Sequence, residues 1–341
     1  MTLRGMVSGA SLAALAGAAG LTAAAAHHSA ARFDTSEQVT LEGVVTEYGW
    51  KNPHVYMAMD VIGEDGEVYE QEIEAGASSV LLPLGLTPDS VSVGDRVSIL
   101  GNPNRGGAGR IILGRELTKE DGSVLPLNIS SRSVRQASEA QTTTIEGTWF
   151  KPLQGFFGIN GARRDWVLTE AGQEALDAFD GTTQAVHAEC IPVGAPTLMV
   201  YPVVTTIDVS DEEVVFNIDW MTSDRVVHLD MDAHPDDLEP TLHGHSIGHW
   251  EGDTLVVDTV GFTPHREGLA FGLPSGEGKH LVERFTVNED GRHLDYEVTL
   301  EDPEYLVEPA TYASQWEYRP ELEPTGEACD LDVAQRFLEE E

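Results

Sequence analysis

Basic side chains are scarce in this chain: 20 lysines and arginines stand against 58 aspartates and glutamates, a net charge of −38 over 341 residues. So acidic a surface repels phosphate backbones and anionic lipid, which argues against nucleic-acid binding and against work at a membrane surface. Cysteine is nearly absent. Cys190 and Cys329 are the two present, and they lack the CxxC spacing of a structural zinc site. In an exported chain they read as one disulfide closing much of the second half, two buried free thiols being the alternative. A loop that long is worth on the order of 4 to 5 kcal/mol in the chain-entropy account. Beyond the opening segment, no run is long and apolar enough to span a bilayer. Also missing are a Gly-x-Ser-x-Gly elbow on a strand-to-helix turn, a phosphate-binding glycine loop and a dinucleotide fingerprint opening a helix. "GHSIG" at 244–248 spells the elbow, but the residues after it continue as a strand, so Ser246 is not expected to be a nucleophile.

What is present begins with "MTLRGMVSGASLAALAGAAGLTAAAA", residues 1–26, which joins an early Arg4 to a small-residue and leucine-rich stretch with a small-x-small ending. That is the pattern of a cleaved export signal; an uncleaved anchor is the alternative. The mature chain is then expected to start near Ala26 or His27, in the periplasm or secreted, with no stable membrane insertion after cleavage. Its length fits two domains at roughly 150 residues each. Residues 27–127 alternate as short strands in "VTLEGVVTEYGW", "HVYMAMDVIG" and "VYEQEIEA", break at "SSVLLPLGL", and resume in "DRVSILGNP" and "RIILGRELT". Three strands, a short helix started at Ser78-Ser79 and two more strands make the element order of a five-stranded OB-type barrel. Residues 128–143 are polar and aperiodic, a linker. In residues 144–341, "LTEAGQEALDAF" is the clearest helix, with Thr169 as its cap. Nearly everything after Cys190 alternates as strands joined by tight turns such as Glu251-Gly252-Asp253, which favours a closed antiparallel barrel or a sandwich. The fold class is therefore mainly β: an OB-type barrel, then an antiparallel lipocalin-like β-barrel with one short helix.

"HHSAARFD", "VTLEGVVTEYGWKNPHVYMAMDV" and "GDRVSILGNP" resemble an exported bacterial family of unknown function. "HPDDLEPTLHGHSIGHWEGDTLVVDTVGF", "LVERF" and "LDYEVTLEDP" are similar to a second uncharacterised bacterial family. Neither resemblance implies a catalytic residue. "IEGTW" at 145–149 resembles the Gly-x-Trp that opens lipocalin-like barrels, which implies a ligand-holding barrel.

Three groups of residues could carry chemistry. His27 or His28 at the new amino terminus, with His54 at the head of a barrel strand, could offer nitrogen donors to copper, which favours tetragonal nitrogen sites; a solvated tail is the alternative. In the second region His243, His245 and His249 cluster in sequence, but Gly244 and Gly248 argue against the helix that a zinc-protease histidine pair needs. Period-two geometry sets Leu281, Glu283, Phe285 and Val287 on one strand face. If that face is interior, Glu283 is an ionisable group among apolar neighbours, a setting for a general acid or base paired with His245 or His280. A structural ion pair with Arg225 or Arg284 is the competing expectation for Glu283. A ligand pocket would draw on Trp149, Trp220, Trp250, Tyr296 and Trp316 for its walls, unless these aromatics simply fill the core. Its polar groups would be Arg225, His234, His249 and Asp258. The leading expectation is an exported binding protein whose partner is a small apolar or amphipathic molecule. A lyase, isomerase or hydrolase is the rival, and a structural envelope protein the third reading.

Overall fold

The computed structural model describes residues 33–63, 65–105, 110–129, 138–180, 184, 186–221 and 223–336. Six strands, β1 Val39–Gly49, β2 Tyr56–Ile62, β3 Val68–Glu74, β4 Arg96–Pro103, β5 Ile111–Lys119 and β6 Val124–Pro126, form the first sheet in the order β3-β2-β1-β4-β5-β6. A parallel pairing of β3 with β5, Ile73 opposite Ile112, closes the first five into a barrel. This is the OB-type arrangement that the element order predicts, with β6 added as a short hairpin on β5. Alternation turns Met57, Met59, Val61, Ile73, Val97 and Ile99 inward as one apolar cluster. The short helix α1, Ser78–Leu81, follows β3. Ser78 is not its cap: Ala77 holds that position without a side-chain bond, and the buried Ser78 hydroxyl donates to Asn52 Oδ1 at 2.9 Å.

The second barrel has nine strands: β7 Gly147–Phe150, β8 Val204–Val209, β9 Glu213–Ile218, β10 Ser223–His228, β11 His245–Glu251, β12 Thr254–Val260, then, past a two-stranded excursion (β13 His265–Ala270, β14 Leu273–Ser275), β15 His280–Val287, β16 His293–Glu301 and β17 Ala310–Tyr318. They close in the order β10-β11-β12-β15-β16-β17-β7-β8-β9. The barrel is not wholly antiparallel. β10 and β11 run parallel over Val227–Ser246 and His228–Ile247, because residues 229–244 return the chain to the same end of the barrel, as parallel neighbours require. The β11–β12 turn is tight as predicted, with Glu251 opposite Thr254 and Gly252 at φ 63°.

Among the described residues of 144–341 there are three α-helices where one is predicted, two of them beside the barrel and one in the tail. Helix α3, Glu170–Ala178, is the predicted one, and Thr169 caps it by accepting from Gly172 N at 3.1 Å. Helix α2, Leu153–Ala162, carries glycines at 155, 158 and 161, which lower helix propensity and hide it in the sequence. The second of these has a packing reason: a Cβ on Gly158 would sit 2.2 Å from the Tyr312 hydroxyl oxygen and push that ring off its hydrogen bond to Gly155 O.

After β17 the chain does not stay on the second barrel. Cys329 bridges Asn52 in a parallel contact, Asp330 N donates to Asn52 O at 2.9 Å, and helix α4, Leu331–Gln335, starts from the Asp330 cap. Arg336 then grips Glu47 of β1 with both terminal nitrogens, at 3.3 and 2.7 Å, above the Tyr56 ring. The predicted disulfide is present between Cys190 and Cys329, 139 residues apart. It ties this tail, seated on the first barrel, to the second. No helix among the described residues is long and apolar enough to cross a membrane.

Candidate functional site

The alternation of β15 places Leu281, Glu283 and Phe285 inside the second barrel, all fully buried. Glu283 meets Arg225 from β10, not an imidazole. Arg225 Nη1 donates to Glu283 Oε1 at 2.9 Å and Nη2 contacts Oε2; Nη2 also donates to Thr259 Oγ1 at 2.8 Å and Ser246 Oγ at 3.3 Å. The Tyr296 hydroxyl completes the group, donating to Glu283 Oε1 at 3.0 Å. Burial, with the Glu283 carboxylate beside it, pushes the Tyr296 phenol well up, so it remains a donor. The predicted Glu283–His245 and Glu283–His280 pairs are therefore corrected to an internal Glu283–Arg225–Tyr296 network, and Arg284 instead reaches Glu251 outside, at 2.8 Å. Ser246, the middle of "GHSIG", is a buried member of that network on a strand, hydrogen-bonded to Thr259 and Arg225.

The barrel interior is filled by its own aromatics. Phe285 lies 5.0 Å from Phe216, 5.2 Å from Tyr296 and 5.8 Å from Trp316, ring centre to ring centre. Trp149, Phe216, Phe285, Tyr296 and Trp316 are each 0% accessible, so no water-sized void touches them from outside or from within. Trp149, Tyr296, Trp316 and Arg225, expected to line a lumen pocket, are core instead.

A second cluster lies on the outer face of the same strands. Registry places Ile247 opposite both His228 and Asp258, and Asp258 opposite Val282. His245 and His280 each lie two residues along from this row, on the same face as Asp258. Asp258 takes His280 Nε2 on one oxygen and His234 Nε2 on the other, both at 2.9 Å. His234, brought over by the 229–244 crossover, faces His245 Nδ1 to Nδ1 at 2.8 Å, and His245 stacks on His228 with ring centres 5.1 Å apart. Glu301, opposite His280 on β16, stands 3.6 Å from His280 Nδ1.

The two ends of this relay are shifted in opposite directions. Burial, then the neighbouring His234 and His228, lowers His245 below the ordinary imidazole value. Burial also works against a charged His280, but the bond to Asp258 and the charges of Asp258 and Glu301 outweigh it and raise that imidazole. Asp258 is held low despite its partial burial because both histidines donate to it. The Nδ1–Nδ1 contact needs one donor and one acceptor, so the two facing nitrogens of His234 and His245 share one proton, while His234 Nε2 faces Asp258. Proton-holding and proton-accepting groups thus sit side by side, joined by one carboxylate.

The relay borders a cleft of about 850 Å³. Its walls are Val209, Leu229, Met231, Ile247 and Trp250, with Ser210, Asp211, Asp232, Gly248, His249 and Asp258. It opens because β10 ends at His228 after two paired positions on β11, leaving the rest of β11 facing the turn between β8 and β9. Of the predicted ligand residues, His249, Trp250 and Asp258 meet here, with His234 reaching in through Asp258. His249 is exposed, 3.4 Å from Glu251. His228 and Glu301 were not among the predicted site residues; the strand parity of "DRVVHLD" is a signal for His228, whereas Glu301 emerges only from its register with His280.

His27 and His28 lie outside the described residues. His54, the third predicted copper donor, is turned inward: its Nδ1 lies 3.2 Å from Ala75 O and 3.6 Å from Glu74 Oε1, and burial lowers its pKa. Among the described residues no group of three or more His, Cys, Asp or Glu is arranged to hold a metal ion.

A family model described as a family of unknown function (DUF6152) matches residues 14–112, the span that includes most of the first barrel. No curated protein matches the sequence. Two solved structures, the fluorescent protein UnaG in its wild-type form and a mutant of it, are 12% identical and cover 51% of this chain. They cover 97% and 96% of their own chains, at TM-scores of 0.24 and 0.23. Likeness at that level carries no property of UnaG to this chain.

Proposed function

We propose that this is an extracytoplasmic binding protein that seats a small amphipathic molecule in the outer cleft beside β11. The observation that carries the reading is the convergence of Trp250, Met231 and Leu229 with Asp258 around about 850 Å³. Small-molecule sites of about 300–1,000 Å³ with apolar walls and a few placed polar groups have this composition. The filled lumen speaks against a ligand inside the barrel. The Cys190–Cys329 bond and the export-signal pattern of residues 1–26 support a place outside the cytoplasm.

The test is a titration with the uncharged fluorophore N-phenyl-1-naphthylamine, read by its emission. Saturable one-site binding that is lost in Trp250→Ala supports the reading; no saturable binding, or binding that survives that change, overturns it.

A second reading is an acid–base enzyme, a lyase, isomerase or hydrolase, at the same cleft. It is favoured by one observation: Asp258 joins a raised His280 to His234, whose other nitrogen contacts a lowered His245, and groups pushed apart in this way suit acid and base roles. In this reading His280 and His245 act without Glu283.

A further inference from the structure

We propose that the ligand of the cleft is a cationic amphiphile, an apolar or aromatic body carrying an amine or quaternary ammonium head. The inference rests on the binding reading above and names the class of molecule. Carboxylates on so acidic a surface would by themselves select nothing. Here they belong to a cleft with a floor and walls. Trp250 is 42% exposed and lines the cleft, and an indole face is the best aromatic partner for a cation. Val209, Leu229 and Met231 supply the apolar wall that a hydrocarbon body would cover.

The polar side is one-signed. Asp211 and Asp232 both line the cleft and are exposed, and no ion pair to either is found among the described residues. Among the described residues no lysine or arginine lines it. Asp258 is the third carboxylate, but His234 and His280 already hold it, so the uncommitted negative charge is that of Asp211 and Asp232. An anionic head would enter against these charges and against the net −38 of the whole chain. An uncharged head would leave Trp250 and both aspartates without a partner. A cation answers all three at once, and the surrounding field raises its local concentration at the mouth.

The experiment uses the full exported protein and three probes with one tail, all below their micelle-forming concentrations: octyltrimethylammonium, octyl glucoside and octanoate. Binding is measured by calorimetry for the wild type, for Asp211→Asn/Asp232→Asn and for Trp250→Ala. All three positions are exposed, so the variants keep the fold. The expected result is at least tenfold tighter binding of octyltrimethylammonium than of the other two. The preference shrinks in the double aspartate variant, and binding of all three falls in Trp250→Ala. If octyl glucoside binds as tightly as the cation and Trp250→Ala abolishes both, the cleft binds ligands but the cationic class is wrong. A preference untouched by the aspartate changes also overturns the inference, since it then comes from the whole-protein charge. If none of the three binds saturably, the inference and the binding reading fall together.

Discussion

Removing Glu283 tests the placement of the carboxylate that the strand pattern singles out. In Glu283→Leu, Arg225 keeps its burial, 1% exposed, and retains only the hydroxyls of Ser246 and Thr259. Breaking one side of a buried ion pair costs roughly 3–5 kcal/mol, because the remaining charge has neither water nor counter-ion. At about 2–4 °C per kcal/mol for a domain of this size, the midpoint of thermal unfolding should fall by roughly 6–20 °C. Arg225→Met/Glu283→Leu replaces both charges with apolar side chains of similar volume inside an aromatic shell. Such replacements are often neutral or stabilising by about 1–4 kcal/mol, while the Tyr296 hydroxyl left without its acceptor costs about 1–3 kcal/mol, so the double variant should recover most of the loss in midpoint. Chemical denaturation followed by tryptophan emission gives the double-mutant cycle, with a coupling of at least about 3 kcal/mol expected. Probe binding in the cleft should be unchanged in the double variant, because the network lies on the other face of the same strands. A single variant within about 1 kcal/mol of wild type, or a double variant as unstable as the sum of the singles, would refute the buried-pair account.

Three further outcomes follow from other contacts. Cys190→Ala/Cys329→Ala removes a link across 139 residues, worth on the order of 5 kcal/mol in the chain-entropy account; limited proteolysis should then cut the tail after Tyr318 faster than either barrel, and equal cutting rates would argue against a clamp. His243 and His265 are each held at about 4 by burial, with Lys279 adding to both, Arg225 to the first and Arg266 to the second. Unfolded imidazoles titrate near 6.5, so the unfolded chain binds more protons between the two values, the stabilisation from neutral His243 and His265 is complete above about 6.5, and it is lost as pH falls towards 4. A shallower fall in stability over that interval in His243→Gln/His265→Gln than in the wild type supports the assignment, since Glu267 and Lys279, each at about 7, contribute to both curves; parallel curves reject it. Asp258→Asn removes the charge that raises His280, so NMR titration should find the His280 imidazole deprotonating at lower pH than in the wild type, and an unmoved titration would show that Glu301 alone holds its proton.

Strand parity made much of the fold legible. The inward set Leu281, Glu283 and Phe285 follows from period two alone, and so does the OB-type element order of the first barrel. What parity leaves open is which partner lies across a strand. Parity turns Arg284 to the other face, but Glu283 could meet Arg225 or a histidine with equal ease in one dimension, and the strand order decides it by setting β10 beyond β11 and β12 from β15, so that Arg225 reaches Glu283 past Ser246 and Thr259. Helix α2 was hidden for a different reason, since three glycines weaken its local signal, and one of them, Gly158, lies against Tyr312 of β17. The tail clamp on Asn52 and Glu47 rests on contacts between residues nearly a full chain apart, and no local pattern encodes those.

The histidines show the same division. Proximity in sequence joins His243, His245 and His249, yet these three separate: His243 is lowered to about 4 by burial among Arg225 and Lys279, His249 lies out beside Glu251, and His245 alone enters the relay. Its true neighbours come from β10, from β12 and from the crossover, because a parallel return of the chain sets His228 beside β11 and folds His234 over Asp258. That same return cuts the β10–β11 pairing short and leaves Trp250 and the end of β11 open. One topological feature therefore makes both the relay and the cleft. A shift in crossover geometry should alter the two together: replacing Pro235 with glycine, which frees the turn beside His234, should weaken probe binding and uncouple His234 from Asp258 in the same variant.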